Sequence, residues 1–203
     1  MEELNEALIN EEELKSYIDS NISENINHAR HVEGEIHTFT GIYMAVVAGV
    51  LAFNFSGRDG STFQLWLHLV ILLGGVLAMF LLNRWYAAFD TFMAYAECLS
   101  YIKEKLILGK LKPEEAVDAW DKFPPAYEEA FLDYRVKNPK KKVMTEIFGE
   151  ESKEYDSKGR LFAYSIPRAK GSLRTRNFIF GFHGVILLAV VLIVVMDLHS
   201  LIL

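Results

Sequence analysis

The chain has 203 residues, of which 51% are apolar, with 21 basic and 27 acidic side chains, a formal charge of −6 and one cysteine. That length fits one domain or two small ones, and a lone cysteine, Cys98, excludes an intrachain disulfide and every cysteine-based metal motif. The N-terminus is glutamate-rich where a secretory leader would be basic and then apolar, so no leader is expected and the first apolar segment would serve as its own insertion signal.

The average hides a strongly uneven distribution. Thr38–Phe55, Phe63–Asn83 and Phe178–Met196 carry almost no charge, and each is close to the roughly 20 residues a helix needs to cross a hydrocarbon core of about 30 Å. The expected fold is therefore an all-α membrane protein with three transmembrane helices. Four regions follow: an acidic amphipathic arm (1–37), a two-span hairpin (38–85), a helical cytoplasmic region (86–176) and a third span (177–203).

The arm holds ten acidic and two basic residues, which opposes lying flat on an anionic lipid surface. Leu4, Leu8, Leu14, Ile18, Ile22, Ile26, Ala29 and Ile36 recur at helical steps and make one apolar stripe. That stripe should pack on protein, either the cytoplasmic region or another copy of the arm. Asn10 and Ser20-Asn21 are the places where the helix would break or be capped. Near its end His28, His31, Glu35 and His37 fall close together; a metal could use such a face, but no zinc signature is present, and a solvated helix surface is the expected reading.

In the first span Gly41, Ala45 and Gly49 repeat every fourth residue, with Ala48 and Ala52 beside them. Small residues let two helix backbones approach and gain dispersion contacts in lipid. The seam serves either self-association or a pore wall, or packing on the second span of the same chain.

The second span runs from Trp66 to Trp85, with tryptophans toward both interfaces and Gly74-Gly75 near its middle. Its helical pattern continues past Arg84 to a stop at Gly109, so one helix from Phe63 to Leu108 should leave the membrane. Pro113 with Glu114 and Glu115 opens a short helix; Pro124-Pro125 should end it, and a second should run from Ala126 to Lys137 before Asn138-Pro139. Lys140–Phe148 is a weaker helix candidate, and 149–171 reads as irregular with one strand-like stretch, Arg160–Ile166. The third span carries Gly181 and Gly184 early and ends in Asp197-Leu198-His199.

Orientation follows from charge. Of the 21 basic residues, 18 lie between Arg84 and Arg176, which places that region and the N-terminus in the cytoplasm and the C-terminus outside. Arg168, Lys170, Arg174 and Arg176, directly before the third span, are the strongest topological signal. They and the run Lys137, Lys140, Lys141, Lys142 could contact lipid head groups, a phosphorylated ligand or a partner. His68 and His183 are ionisable groups at membrane depth, which are costly to bury and functional by default; near span ends a neutral imidazole can also serve as a structural hydrogen-bonding group.

No phosphate-cradling glycine loop, Gly-x-Ser-x-Gly or paired-histidine protease motif occurs. No enzymatic activity, cofactor, metal or direct nucleic-acid contact is expected. The run Asn83-Arg84-Trp85-Tyr86 through Ala94-Tyr95-Ala96-Glu97-Cys98-Leu99, on a helix leaving the second of two close spans, resembles the SLATT type of prokaryotic membrane module, over residues 15–110. That resemblance implies an effector of nucleotide-signalled antiphage defence; the third span and the 86–176 region depart from the short SLATT layout. Two functions compete: a homo-oligomeric inner-membrane effector or channel triggered by a ligand such as a nucleotide-type signal, and an anchor that recruits a soluble cytoplasmic protein. An intramembrane enzyme or transporter is the weakest alternative.

Overall fold

The computed structural model describes residues 11–55, 62–150, 152 and 169–202. The described residues form five helices and no strand: α1 Glu11–Phe55, α2 Thr62–Ile107, α3 Pro113–Leu132, α4 Pro139–Phe148 and α5 Ala169–Ile202. They make two compact units, one from the described residues of 1–29 and 90–166 and one from those of 30–89 and 167–203.

The first unit is a helical domain around an aliphatic and aromatic core. Leu14, Ile18 and Ile22 of α1 share one buried cluster with Cys98, Leu99, Ile102 and Leu106 of α2, Phe123 and Tyr127 of α3, and Val143 and Met144 of α4. From Leu14 to Ile26 the apolar stripe of the arm is thus covered by the same chain, and Leu4 and Leu8 lie outside the described residues. Lys103 of α2 also pairs with Asp19 of α1. Ser20-Asn21 do not break α1, because Asn21 Nδ2 donates to the Tyr17 carbonyl at 2.9 Å and Asn25 Nδ2 to the Asn21 carbonyl at 2.8 Å, so both amides bond within the helix. Asn10 lies outside the described residues.

Gly109 ends α2 as expected, with φ +64°. The amide of Lys110 donates to Lys105 O and that of Gly109 to Leu106 O, a Schellman pair that satisfies two terminal carbonyls. At the start of α3, Glu115 Oε2 accepts from the backbone N–H of Lys112 at 2.9 Å.

The expected break at Pro124-Pro125 does not occur, and α3 runs unbroken over 20 residues. Each proline removes a helix hydrogen bond and crowds the preceding turn. Against this, Ala116, Ala119, Phe123, Tyr127 and Ala130 form one buried face that a break would split. Phe123 and Tyr127 stack across the proline pair, ring centroids 5.7 Å apart. Burying each such ring contributes about 2 kcal/mol, enough to hold the helix through a local defect. The chain then leaves helix at Leu132 rather than Lys137, and Asn138-Pro139 opens α4: Asn138 Oδ1 accepts from Lys141 N at 3.0 Å, with proline at the first turn.

In the second unit the inward faces of α1, α2 and α5 meet in a small cluster of Tyr43, Val47, Ile71, Val190 and Val194. Phe39 packs edge-on against Trp85, and Tyr86 against Phe180. All three helices are long and apolar enough to cross a membrane. Only 11%, 28% and 22% of their most apolar windows are buried within the chain, so most of that apolar surface is left for lipid or other chains to cover. α5 starts at Ala169, so residues 169–171, expected to be irregular, are helical; the strand-like stretch Arg160–Ile166 lies outside the described residues.

Candidate functional site

The outward surfaces of the spans carry both small and large residues, and on α1 the small ones form a strip bordered by the exposed Ile42 and Val46. On α1, Gly41, Ala45, Ala48, Gly49 and Ala52 are all exposed, and a Cβ added at Gly41 or Gly49 would meet open space. The inward face of the same helix belongs to Tyr43 and Val47. On α2 the outward stripe is Phe63, Trp66, Val70, Leu73, Leu77 and Phe80, each more than half exposed, and on α5 Val185, Leu188, Leu192 and Val195 repeat the pattern. Gly74, Gly181 and Gly184 also border open space. The α1 seam is therefore not consumed by packing on α2.

Gly75 behaves oppositely to its neighbour: a Cβ there would collide with Tyr43 Oη and Leu187 Cδ2. The missing side chain lets the phenol of α1 press against the backbone of α2. Beside it the ring of His183, fully buried, stacks on Tyr43 with centroids 5.2 Å apart and planes 15° apart. His183 Nδ1 lies 2.9 Å from Ile179 O. A carbonyl only accepts, so the Nδ1–H donates to it. Among the described residues neither Nε2, nor Tyr43 Oη, nor Thr40 Oγ1 has a hydrogen-bond partner, and all three atoms are buried. His68, with Gln64 one turn before it, is buried nearer the other end of the span.

In the helical domain Lys140 pairs with Glu97, itself only 8% exposed, and so ties α4 to α2. Lys137, Lys141 and Lys142 remain exposed and line a shallow groove with Val136, Asn138 and Thr145; Lys142 lies 3.8 Å from Glu146. Next to that run Leu132 is 83% and Tyr134 90% exposed. Lys170, Arg174 and Arg176 fall on the first turns of α5, and Arg168 lies outside the described residues.

His28 and His31 address different carboxylates, Glu24 at 3.5 Å and Glu35 at 3.3 Å, and His28 stacks on Phe92. Among the described residues no three ligand-type side chains converge on a metal position. Burial pushes the Cys98 thiol well up, which makes it a poor nucleophile. Burial, with Glu128 beside it, pushes Tyr95 up to about 12, and Tyr127 rises chiefly through burial and the nearby Asp90.

Tyr43 and Thr40 belong to no motif, and Glu97 enters only as one residue of the run that carries the resemblance. A tyrosine and a threonine inside an otherwise apolar span, and a glutamate on an apolar helix face, were the available signals. No protein-family model, curated protein or solved structure matches the chain.

Proposed function

We propose that the chain is a homo-oligomeric inner-membrane effector, channel-like in action, whose helical domain receives a ligand or partner on the cytoplasmic side and whose spans assemble or rearrange to perturb the bilayer. The observation that carries this reading is the outward strip of small residues on α1, Gly41, Ala45, Ala48 and Gly49, which borders the exposed Ile42 and Val46 and where a Cβ added at Gly41 or Gly49 would meet open space. Helices associate in lipid through close backbone approach, and large aliphatic and aromatic side chains suit contact with acyl chains. The SLATT-like layout adds antiphage defence as the setting. In the proposed orientation the N-terminus is cytoplasmic and the C-terminus outside.

Mass measurement of the protein extracted in native lipid discs tests it. The wild type should exceed one chain, Ala45→Leu with Ala48→Leu should reduce it to a monomer, and ion leak on overexpression should fall with it. A strictly monomeric wild type that causes no leak would end the reading.

A second reading, an anchor for a soluble partner, is favoured by the exposed Leu132 and Tyr134 beside Lys137 and Lys141. Replacing Lys137, Lys141 and Lys142 by glutamate should abolish pull-down at unchanged oligomer size. Lys140 is left alone because its partner Glu97 is buried. Pull-down that survives the three changes counts against the anchor.

A further inference from the structure

We propose that the turn between α3 and α4 is a second membrane attachment: Leu132 and Tyr134 enter the head-group boundary of an anionic bilayer, and Arg135, Lys137 and Lys141 bind its lipid phosphates. The inference rests on the membrane reading above and not on oligomerisation, and it gives to lipid the surface that the second reading gives to a soluble protein.

The turn is built to hold these side chains outward. The N–H of Val136 donates to Asp133 O at 2.9 Å and that of Arg135 to Asp133 Oδ1 at 3.0 Å, while Asn138 caps α4. Leu132 and Tyr134, on either side of Asp133, are strongly exposed. The Arg135 guanidinium lies over the Tyr134 ring, 5.6 Å from its centroid, which joins an apolar face and a cation at one point. Residues 132–142 contain five basic residues and one acidic, in a chain whose formal charge is −6. Lys140 is held by Glu97 and Lys142 lies 3.8 Å from Glu146, whereas Lys137 and Lys141 are exposed.

The turn also lies at a particular end of the helical domain. α3 runs back along α2: Tyr95 packs against Trp120, Phe123 and Tyr127, and Tyr127 Oη donates to Asp90 O at 3.5 Å. Asp90 is the first residue of α2 in this unit, and His28, next to the last of α1 in it, stacks on Phe92. From Tyr127 beside Asp90 to Lys140 beside Glu97, the chain therefore turns at the end where α1 leaves the domain and α2 enters it. Those two helices tether the domain to the apolar spans, and tethering raises the effective concentration of lipid at the turn.

Attachment to a bilayer surface needs apolar groups at the head-group boundary and basic groups on anionic phosphates, and this turn supplies both. Each lysine or arginine near an anionic surface strengthens attachment by roughly fivefold. A stable protein interface takes roughly 800 Å² per partner, and two apolar side chains on one turn fall far short of that. A free phosphorylated ligand would leave the exposure of Leu132 and Tyr134 without a purpose.

The test uses the full chain in lipid discs, with a nitroxide at Leu132→Cys or, for reference, at the exposed Asp121→Cys of α3, each in a Cys98→Ala background. One set of discs is phosphatidylcholine alone and the other contains phosphatidylglycerol as well. In the anionic discs the label at 132 should favour collision with oxygen over a water-soluble nickel chelate severalfold more than the label at 121. That preference should fall severalfold in the neutral discs, and likewise in the triple variant Arg135→Glu, Lys137→Glu, Lys141→Glu. A label at 132 as open to water as that at 121 overturns the proposal. So does one shielded from both reagents, as a protein partner or second copy would shield it, or lipid contact of equal strength in the neutral discs or the triple variant. A chain that cannot be placed in discs at all sinks the membrane reading as well, and so is distinct from these outcomes. Should the substituted chains fail to fold, hydrogen exchange in the unsubstituted chain decides: slower exchange of amides 132–138 in anionic than in neutral discs supports the lipid contact, and equal exchange overturns it.

Discussion

The contact between Gly75 and Tyr43 shows how much one missing side chain can govern. Gly74 and Gly75 are equivalent in sequence, yet only Gly75 has neighbours that a Cβ would strike. Gly75→Ala should therefore lower the melting temperature of the protein in detergent, while Gly74→Ala should leave it unchanged or slightly raised, since alanine is the better helix former by about 1 kcal/mol. Combining Gly75→Ala with Tyr43→Phe removes one of the two colliding atoms, so the double variant should recover part of the loss, a coupling on the order of 1 kcal/mol. Full additivity would show that the phenol does not press on α2. The paired glycines were plain in the sequence as a site of close approach; which one is used depends on a tyrosine 32 positions away on another helix, and no local pattern carries that. Tyr95 supplies a second test at this scale. Its phenol holds its proton to about 12 in the folded domain, against about 10 in an unfolded chain. The folded state binds that proton more tightly, so its contribution is complete below about pH 10 and is lost as the pH rises toward 12. Thermal melts across that range should fall more steeply for the wild type than for Tyr95→Phe; parallel curves would refute the assignment.

Helix boundaries show where local chemistry is decisive and where tertiary packing overrides it. Gly109, Pro113 and Phe148 mark ends or starts that propensity and capping anticipate, because glycine tolerates φ of +64° and proline suits a first turn. The failures have one cause. Ser20-Asn21 and Pro124-Pro125 are local breakers whose helices continue because buried faces run through them, Ile18 to Ile22 in α1 and Phe123 to Tyr127 in α3. A reading of neighbours cannot weigh a defect of a few kcal/mol against burial contributed by three other helices. The energetics are testable at Pro125, which is exposed. Pro125→Ala restores a donor to the carbonyl of Asp121, a gain of up to about 3 kcal/mol, reduced by about 1 kcal/mol because the unfolded chain regains freedom. The variant should melt several degrees higher at unchanged helical circular dichroism, whereas Phe123→Ala should lose about 3 to 5 kcal/mol. A Pro125→Ala protein that melts lower would mean the proline is needed where it stands.

For the molecule as a whole, three apolar helices were legible because lipid imposes a length and a composition that few other environments select, and those helices recur in the structure at α1, α2 and α5. The proposed sidedness rests on a separate observation, the placement of 18 of 21 basic residues between Arg84 and Arg176. The two can be tested apart. In a Cys98→Ala background, a cysteine at Lys141 should react with a membrane-impermeant maleimide only after the cells are opened, and a cysteine at His199 should react in intact cells. Converting Lys170, Arg174 and Arg176 to glutamine removes the basic residues nearest the third span, yet Arg84 and the lysines farther along remain, and in the proposed orientation they would hold the loop inside. That variant should keep the labelling pattern for residue 141 and, because the last span now lacks its adjacent retention signal, lose part of the labelling at 199. Equal labelling at 199 in both proteins would show that the span is oriented by the hairpin before it and not by its own flanking charge.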